Sequence, residues 1–446
     1  MRSLVQQENP NNNTKVVVLS NRFKPLIDRM RGNHDAKILI ENFASLSALQ
    51  VVTLILPLIT LPYVLRVMGK SGYGVYVMAI TLMGYFVTIT DFGFAVLAPR
   101  DVALTRDDKN ALNKVYSQVI FTKIALAVLA ILLFSILIIA VPSFRQDWIS
   151  YLCALPILLG SVFITDWFFQ GIEQMKFITI IQVTTRVLFT CLVFIVIREP
   201  GDFNKYILLQ SMTYVLSAVI SQLIVRRKHH VRFVRVSMIE FKETIKENLP
   251  IFINIFLPNL YNAGGILLLG LFHDHNTVGT YETLHKIAMI GLTLVTILSQ
   301  VFFPFLSRRK EAFQRSARIS IVVGICSAIV ALIGTPVVFW YLAIEWSITP
   351  FIIYAILCVN IVCLTVIKTY GQNYLITHGY DNKYVRATLI SSLIGGGLAL
   401  ILIYPLSAIG AALTLTLSNG LGGAICFKYY KQINGTQGYS EKSVRH

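Results

Sequence analysis

The chain has 446 residues, is 55% hydrophobic and only 14% charged, and carries a formal net charge of +17. Soluble domains carry about 25% charged residues, so this composition excludes an ordinary water-soluble globule and points to a polytopic membrane protein. The basic excess sits in short clusters between apolar runs, which is how membrane topology is encoded and not how a nucleic-acid surface is built.

Residues 1–37 are polar and Asn-rich (NPNNNTK). Their one apolar stretch, Val16–Leu19, is too short for a signal-peptide core. A disordered cytoplasmic tail is expected there. Apolar runs follow at 38–65, 75–98, 115–141, 148–168, 178–197, 205–225, 248–272, 280–306, 319–341, 348–367, 386–404 and 407–427. A helical span needs about 20 apolar residues, so these predict twelve spans. Pro57, Pro62 and Pro258 fall inside them, where neighbouring helices satisfy the freed carbonyls. The runs are continuous and do not alternate with period two, which argues against a β-barrel. Six cysteines lie in apolar segments with no CxxC pair and read as packing residues. Trp148, Trp167, Trp340 and Trp346 fall near span ends, where an aromatic belt is expected.

Between the sixth and seventh runs lies a basic segment, Arg226–Lys246 (RRKHHVRFVRVSMIEFKETIK), with seven Lys or Arg. It predicts a cytoplasmic linker over 226–247, joining an N-lobe at 38–225 to a C-lobe at 248–427, with a second tail at 428–446. With the N-terminus inside, the cytoplasmic segments hold 31 Lys and Arg and the opposite loops hold five. That asymmetry predicts both termini inside. A repeat crosses the linker. Gly74-x-Tyr76 and Pro99 recur as Gly279-x-Tyr281 and Pro304 at an offset of 205, and Gly171-x-Glu173-Gln174 recurs as Gly379-x-Asp381-Asn382 at 208. Two halves of six spans each make the repeat parallel. The expected fold is an all-α polytopic membrane protein with 12 transmembrane helices in two six-helix lobes, related by a pseudo-two-fold along the membrane normal. Outer loops are too short for a catalytic domain and no Walker A sequence is present, so a transporter is expected, not an enzyme.

Four segments carry a family resemblance. RVMGKSGYGVYVMAITLMGYFVTITDFGF (Arg66–Phe94) and DWFFQGIEQMKFITI (Asp166–Ile180) are similar to the first-loop and fourth–fifth-loop regions of Wzx-type polysaccharide flippases. VGTYETLHKIAMI (Val278–Ile290) and VFFPFLSRR (Val301–Arg309) resemble the eighth span of that family, although His285 stands where the family more often has an acidic or polar residue. The likeness covers roughly residues 38–430. It implies membership of the polysaccharide transport branch of the MOP exporter superfamily. Such proteins carry an undecaprenyl-pyrophosphate-linked oligosaccharide across the bacterial inner membrane by alternating access. No cofactor is implied, coupling to H+ or Na+ is open, and membrane lipids, a polymerase and a chain-length regulator are the implied partners.

A charge inside a span is costly and marks a wet cavity or a buried partner. Arg186 lies about 12 Å along its helix, at 1.5 Å per residue, too deep to snorkel. It either faces a cavity or pairs with Asp91 or Asp166. Lys286 and Arg66 can face a cavity or reach an interface, and Lys123 is expected to snorkel if it does not reach the cavity. Guanidinium and ammonium groups suit a compact pyrophosphate, so Arg186, Lys286, Arg66 and Lys123 are candidate headgroup residues. Asp91 and Asp166 are candidates for coupling or ion pairing. A sugar path needs hydrogen-bonding side chains, for which Tyr63, Tyr85, Asn254, Asn259, Tyr261, Asn262, Gln300 and Asn360 are candidates, with helix packing as the competing role. His273-Asp274-His275 reads as a solvated loop and no metal site is expected. A drug exporter of the related multidrug branch would share the twelve spans but wants an acidic cavity. A membrane glycosyltransferase or polymerase would need a catalytic outer loop.

Overall fold

The computed structural model describes residues 34–308 and 312–443, so the expected N-terminal tail lies outside the described residues as far as residue 33. Every regular element among the described residues is helical. In a bilayer, backbone groups find no water, and a continuously apolar chain satisfies them internally as helix. The first half contains α1 (His34–Asp91), α2 (Phe94–Thr105), α3 (Lys109–Ala140), α4 (Pro142–Gln146), α5 (Trp148–Phe163), α6 (Asp166–Gly171), α7 (Lys176–Val196) and α8 (Phe203–Lys228). The second contains α9 (Met238–Asn262), α10 (Gly264–Phe272), α11 (His275–Arg308), α12 (Phe313–Ile333), α13 (Thr335–Tyr341), α14 (Ile348–Val366) and α15 (Asp381–Ser443), with a π-helical turn at Ile367–Ile376 between the last two.

Nine helical stretches among the described residues are long and apolar enough to cross a membrane, and the chain is a multi-pass membrane protein. The two longest helices each contain a break. α1 is interrupted at Gly69, whose φ of 70° is open to a residue without a Cβ. α15 is interrupted at Ser407, two residues after Pro405. The sequence boundaries shift in three places. The second span ends at Asp91, because Phe92 and Gly93 take positive φ and turn the chain into α2. The fourth span ends at Phe163 and resumes as α6. The last helix continues past residue 427 to Ser443. Trp148, Trp340 and Trp346 are exposed, but Trp167 is only 3% exposed. It packs in the interior, 5.7 Å from the Tyr116 ring, and does not join a belt.

Packing differs between the two ends of the molecule. At the Gly74 end the halves share one core, in which Tyr73, Tyr76 and Met78 of α1 join Tyr281 and Leu284 of α11. At the end carrying residues 226–247, each half has its own core. One is built on Phe94, Trp167 and Val225, the other on Phe313, Tyr374 and Ile433. The shared end is closed by backbone contact. A methyl group on Gly74 would fall 1.8 Å from the carbonyl oxygen of His275, and one on Gly279 would fall 2.0 Å from that of Lys70. These two glycines are the pair that recurs at offset 205, and neither position admits a side chain. Asp147 Oδ2 and His275 Nε2 add a polar contact of 2.8 Å across the same seam.

Candidate functional site

A cavity of about 570 Å³ opens inside the first half. It is walled by α1 to α3 and α5 to α8, with one residue, Lys286, reaching in from α11. Lys123, Arg186 and Lys286 are the three Lys or Arg that fall within predicted spans, away from both sets of loops. All three line this cavity, together with Asp91 and Asp166.

Each charge is held differently. Asp91 is the last residue of α1. One of its oxygens accepts from the Ala95 amide at 3.2 Å, which caps the start of α2. The other faces Lys123 Nζ at 2.9 Å. Lys123 also reaches the Ser161 carbonyl at 3.4 Å, and its side chain is only 4% exposed. The snorkelling expected for Lys123 is therefore corrected. Distance from a helix end suggested an escape to the interface, whereas the carboxylate 32 positions earlier in the chain holds the amine inward.

Arg186 does not pair directly with Asp91 or Asp166. Its guanidinium donates to the Thr53 hydroxyl and to Gln182 Oε1, the latter at 3.4 Å. Gln182 Nε2 in turn donates to Asp166 Oδ2 at 2.6 Å. The amide thus stands between the carboxylate and the guanidinium, so Arg186 keeps its charge uncancelled by direct contact and retains N–H groups to offer. Lys286 Nζ donates to the Tyr73 hydroxyl at 2.7 Å and lies 5.2 Å from the centre of that ring. Among the described residues no ion pair joins Arg186 or Lys286 to a carboxylate. The cavity therefore holds three cations against two carboxylates, one of them already committed to Lys123.

The other sequence candidates lie elsewhere. Arg66 is exposed and outside the cavity. Tyr63 donates to the Ile197 carbonyl at 2.6 Å, and Tyr85 to the Asn259 carbonyl at 3.1 Å. Asn254 and Gln300 are exposed, and Asn360 is fully buried, accepting from Asn419 at 2.9 Å. The side chains of Tyr261 and Asn262 lie outside the described residues. None of the remaining sugar-path candidates lines the cavity; its hydrogen-bonding wall is made instead by Gln170, Gln182, Gln210, Thr213, Tyr206 and Tyr214. Gln182 was legible in principle. Gln182, Thr185, Arg186 and Thr190 recur at helical spacing and form one polar face on α7. His273, Asp274 and His275 turn to three different partners, the Ile403 carbonyl, Thr277 and Asp147. His285 stacks on Tyr281 and meets Glu282 at 3.2 Å.

The family model described as "Polysaccharide biosynthesis protein" matches residues 39–310. The chain is 24% identical over 391 residues to the "Putative O-antigen transporter" of Escherichia coli (strain K12), covering 84% of this chain and 92% of that protein. It is 22% identical over 409 residues to the capsular polysaccharide biosynthesis protein CapF of Staphylococcus aureus, covering 89% of this chain and all of that one. Among solved structures, the inward closed lipid II flippase MurJ superposes with a TM-score of 0.68 at 15% identity, over 88% of this chain and 87% of that one. An inward-facing multidrug transporter of the MATE family superposes at 0.63 and 15% identity, over 86% and 98%. These superpositions show a common fold.

Proposed function

The chain belongs to the polysaccharide biosynthesis protein family, and from that premise we propose that it moves a lipid-linked oligosaccharide across the bacterial inner membrane. The substrate is an undecaprenyl-pyrophosphate-linked repeat unit, carried from the cytoplasmic to the periplasmic leaflet by alternating access. The observation that carries this reading is the cavity in which the direct hydrogen-bond partners of Arg186 and Lys286 are neutral side chains. A pyrophosphate matches that chemistry, because charge-assisted hydrogen bonds in a poorly hydrated site are strong. The flanking glutamine, threonine and tyrosine side chains offer hydrogen bonds to sugar hydroxyls. Lys123, already paired with Asp91, holds the wall and Arg186 and Lys286 hold the headgroup.

The proposal includes twelve spans in two lobes. The breaks at Gly69 and Ser407 divide two of the nine long stretches, and α9 with α10 supplies one more. With the termini and the 226–247 linker cytoplasmic, the shared core lies on the outer side and the separate cores on the inner side, which is an inward-facing arrangement. The lobes take the bounds 38–225 and 248–427. No resident cofactor is assigned, and coupling to H+ or Na+ would act through Asp91 or Asp166. The polymerase and chain-length regulator of the same pathway are natural partners. The multidrug fold is equally compatible with the helices, but a drug cation is repelled by this excess of positive charge.

The test is flipping of a fluorescent undecaprenyl-pyrophosphate oligosaccharide in proteoliposomes. Wild-type protein is expected to translocate it, and Arg186→Ala to lose activity while inserting normally. Equal activity of the two proteins, or transport of organic cations in preference to the glycolipid, would overturn the proposal.

A further inference from the structure

The linker is not a free tether. The chain leaves α8 at His229, turns at His230 and runs without helix to Ser237 along the start of α3. The Arg232 amide donates to Asn113 Oδ1 at 2.8 Å, and the Val234 amide donates to Ser117 Oγ at 2.9 Å. Val231 is buried and Phe233 packs 5.4 Å from the Tyr116 ring. α9 then opens on a reciprocal cap between Ser237 and Glu240, and Glu240 pairs with Lys114 of α3 at 2.6 Å. Each of these contacts ties the linker to the first half.

Between this strap and α3 lies a groove of about 330 Å³. Ile120, Phe121 and Ile124 form one wall; Phe233, Val234 and Arg235 form the other. Phe121, Ile124, Phe233 and Val234 are each 40% exposed or more. The groove continues into an open apolar stripe on α3, where Val128, Leu132 and Ile136 follow at helical spacing and are 55–62% exposed. In a multi-pass protein that stripe faces acyl chains. At the strap, Arg226 lies over the Phe233 ring at 5.1 Å, and Arg232 and Arg235 are exposed. The nearby carboxylate Glu240 is engaged by Lys114 and does not cancel them.

We propose that the groove binds an anionic phospholipid of the bilayer. Its phosphodiester sits on Arg235 and its neighbours, and one acyl chain lies between Phe233 and Phe121 and continues down α3. Charge complementarity selects the headgroup, and continuity with the lipid-facing stripe selects an intact lipid over a soluble phosphate or a peptide. The bound lipid would staple the strap to α3, adding to the polar contacts that fix it there. This proposal stands on the strap alone and is independent of what the central cavity carries.

The full chain in mild detergent, titrated with phosphatidylglycerol or phosphatidylcholine and read by native mass spectrometry, tests it. Wild-type protein should retain phosphatidylglycerol in preference to phosphatidylcholine. Arg235→Gln should lower that preference roughly fivefold, the contribution of one basic residue beside an anionic headgroup, and Arg235→Lys should restore most of it. Ile124→Trp, which fills the groove, should lower retention of both lipids while thermal unfolding stays cooperative. Equal retention of the two lipids by wild type, unchanged preference in Arg235→Gln, or full displacement by glycerophosphoglycerol without acyl chains would overturn the proposal.

Discussion

The two halves of the chain bury polar side chains in different ways. In the first, Lys123 faces Asp91 at 2.9 Å, and Arg186 is linked to Asp166 through Gln182. In the second, ionisable side chains meet on α11, where Glu282 faces His285, and elsewhere neutral pairs are buried: Asn419 donates to Asn360 at 2.9 Å, Ser299 to Asn373 at 2.9 Å and Ser418 to the Ser391 carbonyl at 2.7 Å. Carried across the repeat at offsets of 205 and 208, Lys123, Asp166 and Arg186 fall on Ala328, Tyr374 and Ile394. The second half packs without these charges. Charge inside the membrane is costly, and a buried ion pair contributes little net stability over apolar residues of the same shape. The difference teaches that the charges at these positions of the first half are not a requirement of the fold, and the proposed function assigns them to what enters the cavity.

Breaking the charged pair should give the largest effect on stability. Lys123→Met leaves the Asp91 carboxylate unpaired and should cost about 3–5 kcal/mol, seen as a lower unfolding temperature in detergent. Lys123→Met with Asp91→Leu should recover most of that loss, since the apolar pair then mimics the second half. At the seam, where the halves are equivalent, Gly74→Leu and Gly279→Leu should act alike. Each should destabilise the closed end by roughly 1–3 kcal/mol or more through overpacking. Cross-linking yield between cysteines placed at Asp147 and His275 would report it, falling equally in the two variants. In the second half, Asn360→Ala should cost only about 1 kcal/mol and leave translocation unchanged.

The smallest effect concerns the strap. The Lys114 side chain, with the Ser237 backbone, holds the Glu240 carboxyl down to about 2 from an ordinary value of 4.5. A depressed acid contributes stability that is fully present above 4.5 and is lost as pH falls through the folded value. Hydrogen exchange over 237–240, around the cap that Glu240 makes, should therefore be flat from neutral pH to about 4.5, once corrected for intrinsic rates, and rise toward pH 2.

Much of this was legible in the sequence, for identifiable reasons. Span positions followed from apolar length, and Arg186 stood out because no snorkelling path reaches it. The break at Gly69 falls between the first two predicted spans, 38–65 and 75–98. Lys123 was misjudged because its partner is remote in sequence, and depth alone does not reveal a carboxylate on another helix. The sugar-path residues were misplaced because these helices are apolar around most of their circumference, so periodicity does not tell which polar side chain turns inward. Tyr63 and Tyr85 spend their hydroxyls on backbone carbonyls between helices, while Tyr206 and Tyr214, equally plain in sequence, face the cavity. Asn360 reads as a polar residue in a span, and its neutral partner Asn419 is what keeps it structural.

The central claim is that Arg186, on α7 of the first half, holds a compact anion in the cavity, whereas the buried Asn360 of the second half serves packing alone. The direct measurement is the affinity of the purified protein for undecaprenyl pyrophosphate, compared between wild type, Arg186→Ala and Asn360→Ala at fixed salt. We expect Arg186→Ala to weaken binding about 100-fold, the loss typical of a desolvated charge-assisted contact, and Asn360→Ala to leave it unchanged. Equal affinity in wild type and Arg186→Ala, or a comparable loss in Asn360→Ala, would contradict the claim.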